Sequence, residues 1–279
     1  MSNHEQETTL VLGGTGKTGR RVAARLQERG APARIGSRAG VPAFDWEDRT
    51  TWEPALEGVT AAYVSFFPDL AVPGAADAVG AFAELAVDRG VRRLVLLSGR
   101  GEEEAQRAER TVQQVAADCT IVRCSWFSQN FSESFLREAV LAGEVALPVD
   151  GVPEPFVDAD DIADVAVAAL TEPGHAGRLY ELTGPRLLTF GEAVQEIAEA
   201  SGRAVRFVTI TEQQWTGAMA EEGVPDDLAG LMRYLFTEVL DGRNAHLADG
   251  VQRALGRAPR DFRDYARQAT GSGAWEPGR

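Results

Sequence analysis

The sequence predicts an α/β protein, a doubly wound parallel sheet followed by a smaller, mostly helical carboxyl-terminal subdomain. Three observations carry this. Strand and helix patterns alternate from Thr9 onward, and the strands are near-continuous apolar runs, as in a parallel sheet covered on both faces. The first strand also runs directly into a glycine turn that opens a helix.

Thr9 to Gly14 is β-branched and apolar, and the segment GRRVAARLQERG after it spaces Val22, Ala23 and Leu26 at helical intervals until Gly30. Ala33 to Ser37 reads as the second strand, and Val59 to Phe67 as the next, beyond a loop at FDWED. A helix over Ala75 to Asp88 stops at Gly90, and Val91 to Gly99 is a strand with an uninterrupted apolar centre. A charged helix over Glu102 to Ala117, a strand over Cys119 to Trp126, a helix from about Asp160 and a strand over Arg178 to Gly184 complete the alternation.

The pattern changes near Gly184, so a dinucleotide-binding type domain is expected over 1–184 and a pocket-closing subdomain over 185–279, with some interleaving of elements. Thr189 and Glu192 make a capping-box signature before EAVQEIAEASG, AVRFVTIT reads as a strand, and helices follow. The tail GSGAWEPGR reads as loose.

Bulk properties exclude some functions. The 279 residues are 44% apolar, enough for a sizeable core, and the formal net charge is −14. A negative surface disfavours nucleic acid and anionic membrane as partners, and no stretch approaches the roughly 20 apolar residues of a membrane helix. Cys119 and Cys124 have neither disulfide nor zinc spacing, so buried thiols in a cytoplasmic protein, with no metal, are expected. His4, His175 and His246 look scattered and peripheral.

The GKT at Gly16, Lys17 and Thr18 invites a triphosphate loop, but that loop needs a glycine five residues before the Gly-Lys pair, where this chain has Val11. Gly13, Gly16 and Gly19 instead form the G-x-x-G-x-x-G of a Rossmann-type dinucleotide turn. Gly13 permits the tight turn, Gly16 lets backbone approach a pyrophosphate, and Gly19 allows close helix packing. Thr15, Lys17 and Thr18 join them as candidate contacts. The second strand ends in Ser37 and Arg38 rather than in the acid that grips a ribose diol, which favours NADPH over NADH.

With these residues in hand, the chain resembles the NmrA-like, atypical short-chain dehydrogenases, a group that includes bacterial NADPH:quinone oxidoreductases. GGTGKTGRRV, SRAG, FDWED, LVLLSG, IVRCSWFSQNF, PFVDADDIADVAVAAL and YELTGPRLLTFGEAVQEIAEASG match its blocks in order. The resemblance implies that Asp45 approaches the adenine, that Phe66 and Phe67 line the cofactor, and that Trp126 to Asn130 border the nicotinamide. One departure is local: Arg123-Cys124-Ser125 stands where the family has Arg-Pro-Gly.

Ordinary short-chain dehydrogenases use a tyrosine with a lysine four residues on. Here Tyr63, Tyr180, Tyr234 and Tyr265 are followed at that offset by Phe67, Gly184, Glu238 and Ala269, and Lys17 is the only lysine. Without that acid, a substrate whose reduced form is a stable anion is favoured, such as a quinone or another electron-poor compound. The candidate polar helpers beyond the strand ends are Ser98, which also borders the cofactor, and Asn130 as catalytic groups. Arg100 and Ser125 join Trp126, Phe127 and Phe131 as the substrate pocket. Each has a plainer reading: Ser98 as a cap, Arg100 and Glu102 to Glu104 as a solvated face, Asn130 as a loop tie, and Phe127, Phe131 and Phe135 as core. Core is the stronger reading for Phe135 than for Trp126. Trp215, Met219, Met232 and Tyr234 are candidates to close the pocket.

The leading expectation is hydride transfer from NADPH to a quinone-like small molecule by a monomer or homodimer. A nucleotide-sensing regulator with a protein partner, and a redox-neutral enzyme on the same fold, are the alternatives.

Overall fold

The structure is a computed structural model that describes Thr8 to Glu276; His4 lies outside the described residues. In chain order the elements begin β1 (Thr8–Leu12), α1 (Gly19–Glu28), β2 (Ala33–Gly36), a 3₁₀ turn (Arg49–Thr51), α2 (Trp52–Leu56), β3 (Val59–Val64) and α3 (Ala75–Asp88). Next are β4 (Arg93–Gly99), α4 (Glu103–Val115), β5 (Thr120–Cys124), α5 (Asn130–Glu133), α6 (Leu136–Ala142), β6 (Glu144–Leu147) and β7 (Pro153–Glu154). Then come α7 (Ala159–Thr171), β8 (Leu179–Leu182), β9 (Leu188–Thr189), α8 (Phe190–Ser201), β10 (Arg206–Thr209), α9 (Glu212–Glu221) and α10 (Asp226–Tyr234). A π-helical segment (Leu235–Val239), α11 (Gly250–Leu255) and α12 (Phe262–Gly271) end the chain.

Two compact units share these elements. One holds the chain to Cys124, Ala159–Leu182 and Asp249–Arg257; the other holds Ser125–Asp158, Thr183–Ala248 and the chain from Ala258. The sequence suggests one soft cut near Gly184, whereas the chain changes unit at Cys124, after Asp158, after Leu182, and on both sides of α11. An apolar run reports that a segment is buried, not which core buries it.

The first unit is a six-stranded parallel sheet in the order β2-β1-β3-β4-β5-β8. The order reverses between β1 and β3, which opens the crevice beyond the strand ends where open α/β sheets bind ligands. The inner strands β1, β3, β4 and β5 are buried along most of their length because helices cover them, and Leu10, Leu12, Ala62, Val64, Leu94 and Leu96 belong to one apolar core. Helix α1 buries Val22 and Leu26 and is tied to α7 by Arg25, whose guanidinium donates to Asp164 at 2.5 Å and Asp160 at 2.7 Å. Arg257 donates to Asp161 and Asp164 of the same helix, each at 2.7 Å, so the fully buried Asp161 is matched in charge.

The second unit has a parallel pair β6-β10, an antiparallel pair β7-β9, and helices around an aromatic core. Phe131, Phe156, Phe190 and Phe262 meet with ring centroids 5.0–5.9 Å apart. Thr189 and Glu192 form both bonds of the expected capping box at α8, and Thr211 with Gln214 forms a second one at α9. The expectation of a loose tail fails for its described part: Trp275 is buried, and its indole N–H donates to the Phe131 carbonyl at 2.8 Å. Among the described residues, no helix is long and apolar enough to cross a membrane.

Candidate active site

The glycine turn has the shape that a pyrophosphate needs. Gly13 sits at φ +65°, a conformation costly to any residue with a Cβ, and the Gly16 N–H donates back to the Gly13 carbonyl at 2.8 Å. A Cβ on Gly19 would lie 2.2 Å from that same carbonyl oxygen, so α1 packs on the turn at a distance that only glycine permits. Thr15 and Gly16 are exposed above the turn, and Lys17 is half-buried. Thr18 belongs elsewhere: it is buried, and its hydroxyl accepts a hydrogen bond from Tyr63 at 2.9 Å, so the side chain is structural.

Beyond β2, Ser37 holds the loop through its carbonyl, which accepts from the Gly40 and Phe44 amides at 3.0 and 2.9 Å. Arg38 projects from this loop, exposed and with no hydrogen-bond or ion-pair partner among the described residues. Asp45 Oδ1 accepts from the Glu47 amide at 3.1 Å, and its backbone is clamped by Thr51 and the Trp52 indole. Phe66 packs against Trp46 with centroids 4.9 Å apart, whereas Phe67 is 75% exposed.

Two residues expected at the chemistry are committed to structure instead. Ser98 is buried, and its hydroxyl donates to Glu109 Oε1 at 2.6 Å; the same carboxylate takes two bonds from Arg123, at 2.9 and 2.5 Å. Arg100 is buried and pairs with Glu181 at 2.5 Å, which makes it an internal cation rather than part of a solvated face or of a substrate pocket. Both partners come from distant positions in the chain, so no local pattern shows them.

Sequence reasoning missed Glu102. Its carboxyl lies where a Cβ on Gly99 would be, within 2.1–2.3 Å of that position, at the carboxyl end of β4. It is 8% exposed and meets the Asp69 carboxyl, which enters from the loop after β3. The only local hint is an acid in GRGEEE at a strand's carboxyl end, and that run reads equally well as a solvated helix start.

In the second unit Ser125 is buried and Trp126 and Phe127 are half-buried, with Phe127 bridged to Val157. The Trp126 ring packs against Phe236 and Phe190, and its Nε1 is buried with no hydrogen-bond partner among the described residues. Asn130 opens α5, half-buried, its side-chain amide without a hydrogen bond to any described residue. Phe131 is fully buried among aromatic rings, so it is core and not pocket wall; Phe135, read above as core, is 44% exposed.

The remaining titratable candidates are closed off. The Tyr63, Tyr180 and Tyr265 hydroxyls bond to Thr18, His175 and Ser132 respectively, and burial raises the Tyr63 pKa further. His175 is therefore internal rather than peripheral. Burial pushes the Cys119 thiol up to about 12 and the Cys124 thiol well above its ordinary range. The folded protein at pH 8 is expected to react with a disulfide thiol reagent at less than about 1% of the rate of its unfolded form. Two thiols titrating rapidly before denaturant is added would contradict this. Among the described residues no group of three or more His, Cys, Asp or Glu side chains is placed to hold a metal ion.

No family model matches the chain. It is 32% identical over 281 residues to an NAD(P)H azoreductase of Xenophilus azovorans, covering 92% of this chain and 96% of that one. An NADPH-dependent quinone oxidoreductase of Escherichia coli, complexed with NADPH, shares the fold at TM-score 0.76 and 19% identity, covering 94% and 99% of the two chains. NmrA, a negative transcriptional regulator, does so at TM-score 0.72 and 15% identity over 98% of each chain.

Proposed function

The chain belongs to the NmrA-like, atypical short-chain dehydrogenase/reductase family, and from that premise we propose that it transfers hydride from NADPH to a quinone or a similar electron-poor small molecule. The coarser part, an NAD(P)H-dependent oxidoreductase that binds a nicotinamide cofactor, is shared with relatives such as the NAD(P)H azoreductase.

The observation that carries the cofactor choice is Arg38. An exposed guanidinium without a partner among the described residues, two residues beyond β2, suits a 2′-phosphate, and no acid directly follows the strand to hold a ribose diol. The amides of the Gly13–Gly19 turn and the start of α1 would hold the pyrophosphate, with Lys17 adding charge, and Asp45 would face the adenine end. Bound NADPH supplies the hydride; the chain supplies position.

The acceptor follows from what is missing. Lys17 lies in the turn, and three of the four tyrosine hydroxyls are hydrogen-bonded inside the protein, which supports a site that works without the Tyr-Lys pair of ordinary relatives. Acceptors whose reduced forms are stabilised anions lose least from that. A small-molecule substrate, rather than nucleic acid or membrane, agrees with the net charge of −14, and the buried, unlinked thiols agree with the reducing cytoplasm. The protein is proposed to act as a monomer or homodimer.

Replacing Arg38 with alanine is expected to raise the Kd for NADPH about 10- to 100-fold, the worth of a charge-assisted phosphate contact of roughly 1.5–3 kcal/mol. The Kd for NADH should move less than about twofold. Equal losses for both cofactors in a fluorescence titration would remove Arg38 from the 2′-phosphate.

A further inference from the structure

We propose that Glu102, sharing a proton with Asp69, is the acid that protonates the reduced substrate, an inference that rests on the hydride-transfer reading above. Two observations place it. The Glu102 carboxyl fills the space left by the missing side chain of Gly99, the last residue of β4, which pairs with Cys124 at the last residue of β5. That is the strand edge beyond which such sheets bind ligands. The carboxyl is also more than nine-tenths buried, yet no donor of the described residues reaches its Oε2. An ionised carboxylate without donors is unstable there, whereas a carboxylic acid hydrogen-bonded to a neighbouring carboxylate is satisfied.

The surroundings keep the proton in place. Asp69 Oδ1 accepts from the Ala71 amide at 2.9 Å, which favours Asp69 as the ionised member of the pair. The groups facing Glu102 are Asp69 from the β3 loop, Glu109 from α4, and Cys124 at the end of β5. The nearby cations are matched elsewhere, Arg100 with Glu181 and Arg123 with Glu109. Burial first, and then the Asp69 and Glu109 carboxylates, hold the Glu102 pKa well above the ordinary carboxylate range. Its proton is therefore present below that raised value and lost as pH rises through it.

The step balances simply. Hydride, carrying two electrons from NADPH, converts a quinone to the hydroquinone monoanion and leaves NADP⁺. The Glu102 O–H bond then breaks as the new phenol O–H bond forms, and water restores the proton to the carboxylate. A cationic triphenylmethane dye gives the control, because hydride alone turns the carbocation into a neutral product and no proton is needed.

The test compares 1,4-naphthoquinone with crystal violet as acceptors for NADPH, in wild type, Glu102→Gln and Asp69→Asn. The expected result is a quinone-to-dye rate ratio about 100-fold lower in Glu102→Gln, the lower end for general acids because a phenolate is a good product anion. Its quinone rate should also lose the decline at high pH. Asp69→Asn, whose amide can donate to an ionised Glu102, should move that decline to lower pH. Without cofactor, infrared titration should show a protonated carboxyl C=O band that persists above the pH range in which ordinary carboxyl groups titrate in wild type and is absent from Glu102→Gln. An unchanged ratio with the same pH profile, or equal losses with both acceptors, would overturn the assignment. A wild type that reduces neither acceptor would overturn the hydride-transfer reading and the assignment with it.

Discussion

Gly19→Ala is expected to abolish measurable NADPH binding while the protein still folds. The added methyl would sit 2.2 Å from the Gly13 carbonyl oxygen and 2.9 Å from the Gly14 Cα, and both neighbours are backbone that cannot rotate away. Relief requires α1 to lift from the turn, which takes its amino-terminal amides away from the pyrophosphate they would hold. Affinity should fall by more than about 100-fold, at least roughly 2.7 kcal/mol. Gly271→Ala, at the end of α12 with open space around the added methyl, is the matched control and should bind as wild type does. Isothermal titration with NADPH, with circular dichroism as the folding check, decides the point. Binding by Gly19→Ala within tenfold of wild type would mean that the turn does not hold the cofactor.

Arg123→Met is expected to have the largest effect on stability. Glu109 is 3% exposed and already lies near a second buried carboxyl, that of Glu102. Arg123 supplies it with two hydrogen bonds, and the pairing in turn keeps the Arg123 guanidinium firmly charged. Removing the cation leaves an uncompensated buried carboxylate, which costs about 3–5 kcal/mol, or roughly 10 °C in melting temperature for a chain of this size. Ser98→Ala removes only the third bond and should cost about 1 kcal/mol. The double variant Arg123→Met with Glu109→Leu should recover most of the loss, because both charges leave together. A melting temperature for Arg123→Met within about 2 °C of wild type would show that the pair is not structural.

These two cases also mark what is legible in the sequence. The turn at Gly13, Gly16 and Gly19 is readable because its requirements are local: a strand before it, a helix after it, and glycine where a Cβ cannot fit. The parallel sheet is readable for the same reason, since apolar runs and their spacing lie within single segments. The sequence pattern puts Ser98 and Arg100 at a strand's carboxyl end, but their roles depend on Glu109 and Glu181, which lie 11 and 81 residues away.

Trp275 shows the same limit from another side. Its neighbours, glycines and a proline, read as a loose tail, yet one large apolar ring finds the aromatic core and anchors the described part, which reaches Glu276. Glu102 was hidden because acids beside a helix start are usually solvated, and only the fold brings Asp69 to it. Phe131 and Phe135 share one helical spacing, but the chain breaks between α5 and α6, and that break sends one ring inward and the other out.

Hydride transfer itself is read in a single-turnover stopped-flow experiment, in which protein loaded with one equivalent of NADPH is mixed with excess 1,4-naphthoquinone and the reduced-nicotinamide absorbance is followed. Full loss of that absorbance is expected, at a rate that saturates with quinone and exceeds the protein-free rate by orders of magnitude, with NADH poorer through weaker binding. Tight NADPH binding with no enzyme-dependent loss of absorbance, for this quinone and for other electron-poor acceptors, would contradict it and would favour a nucleotide-sensing protein.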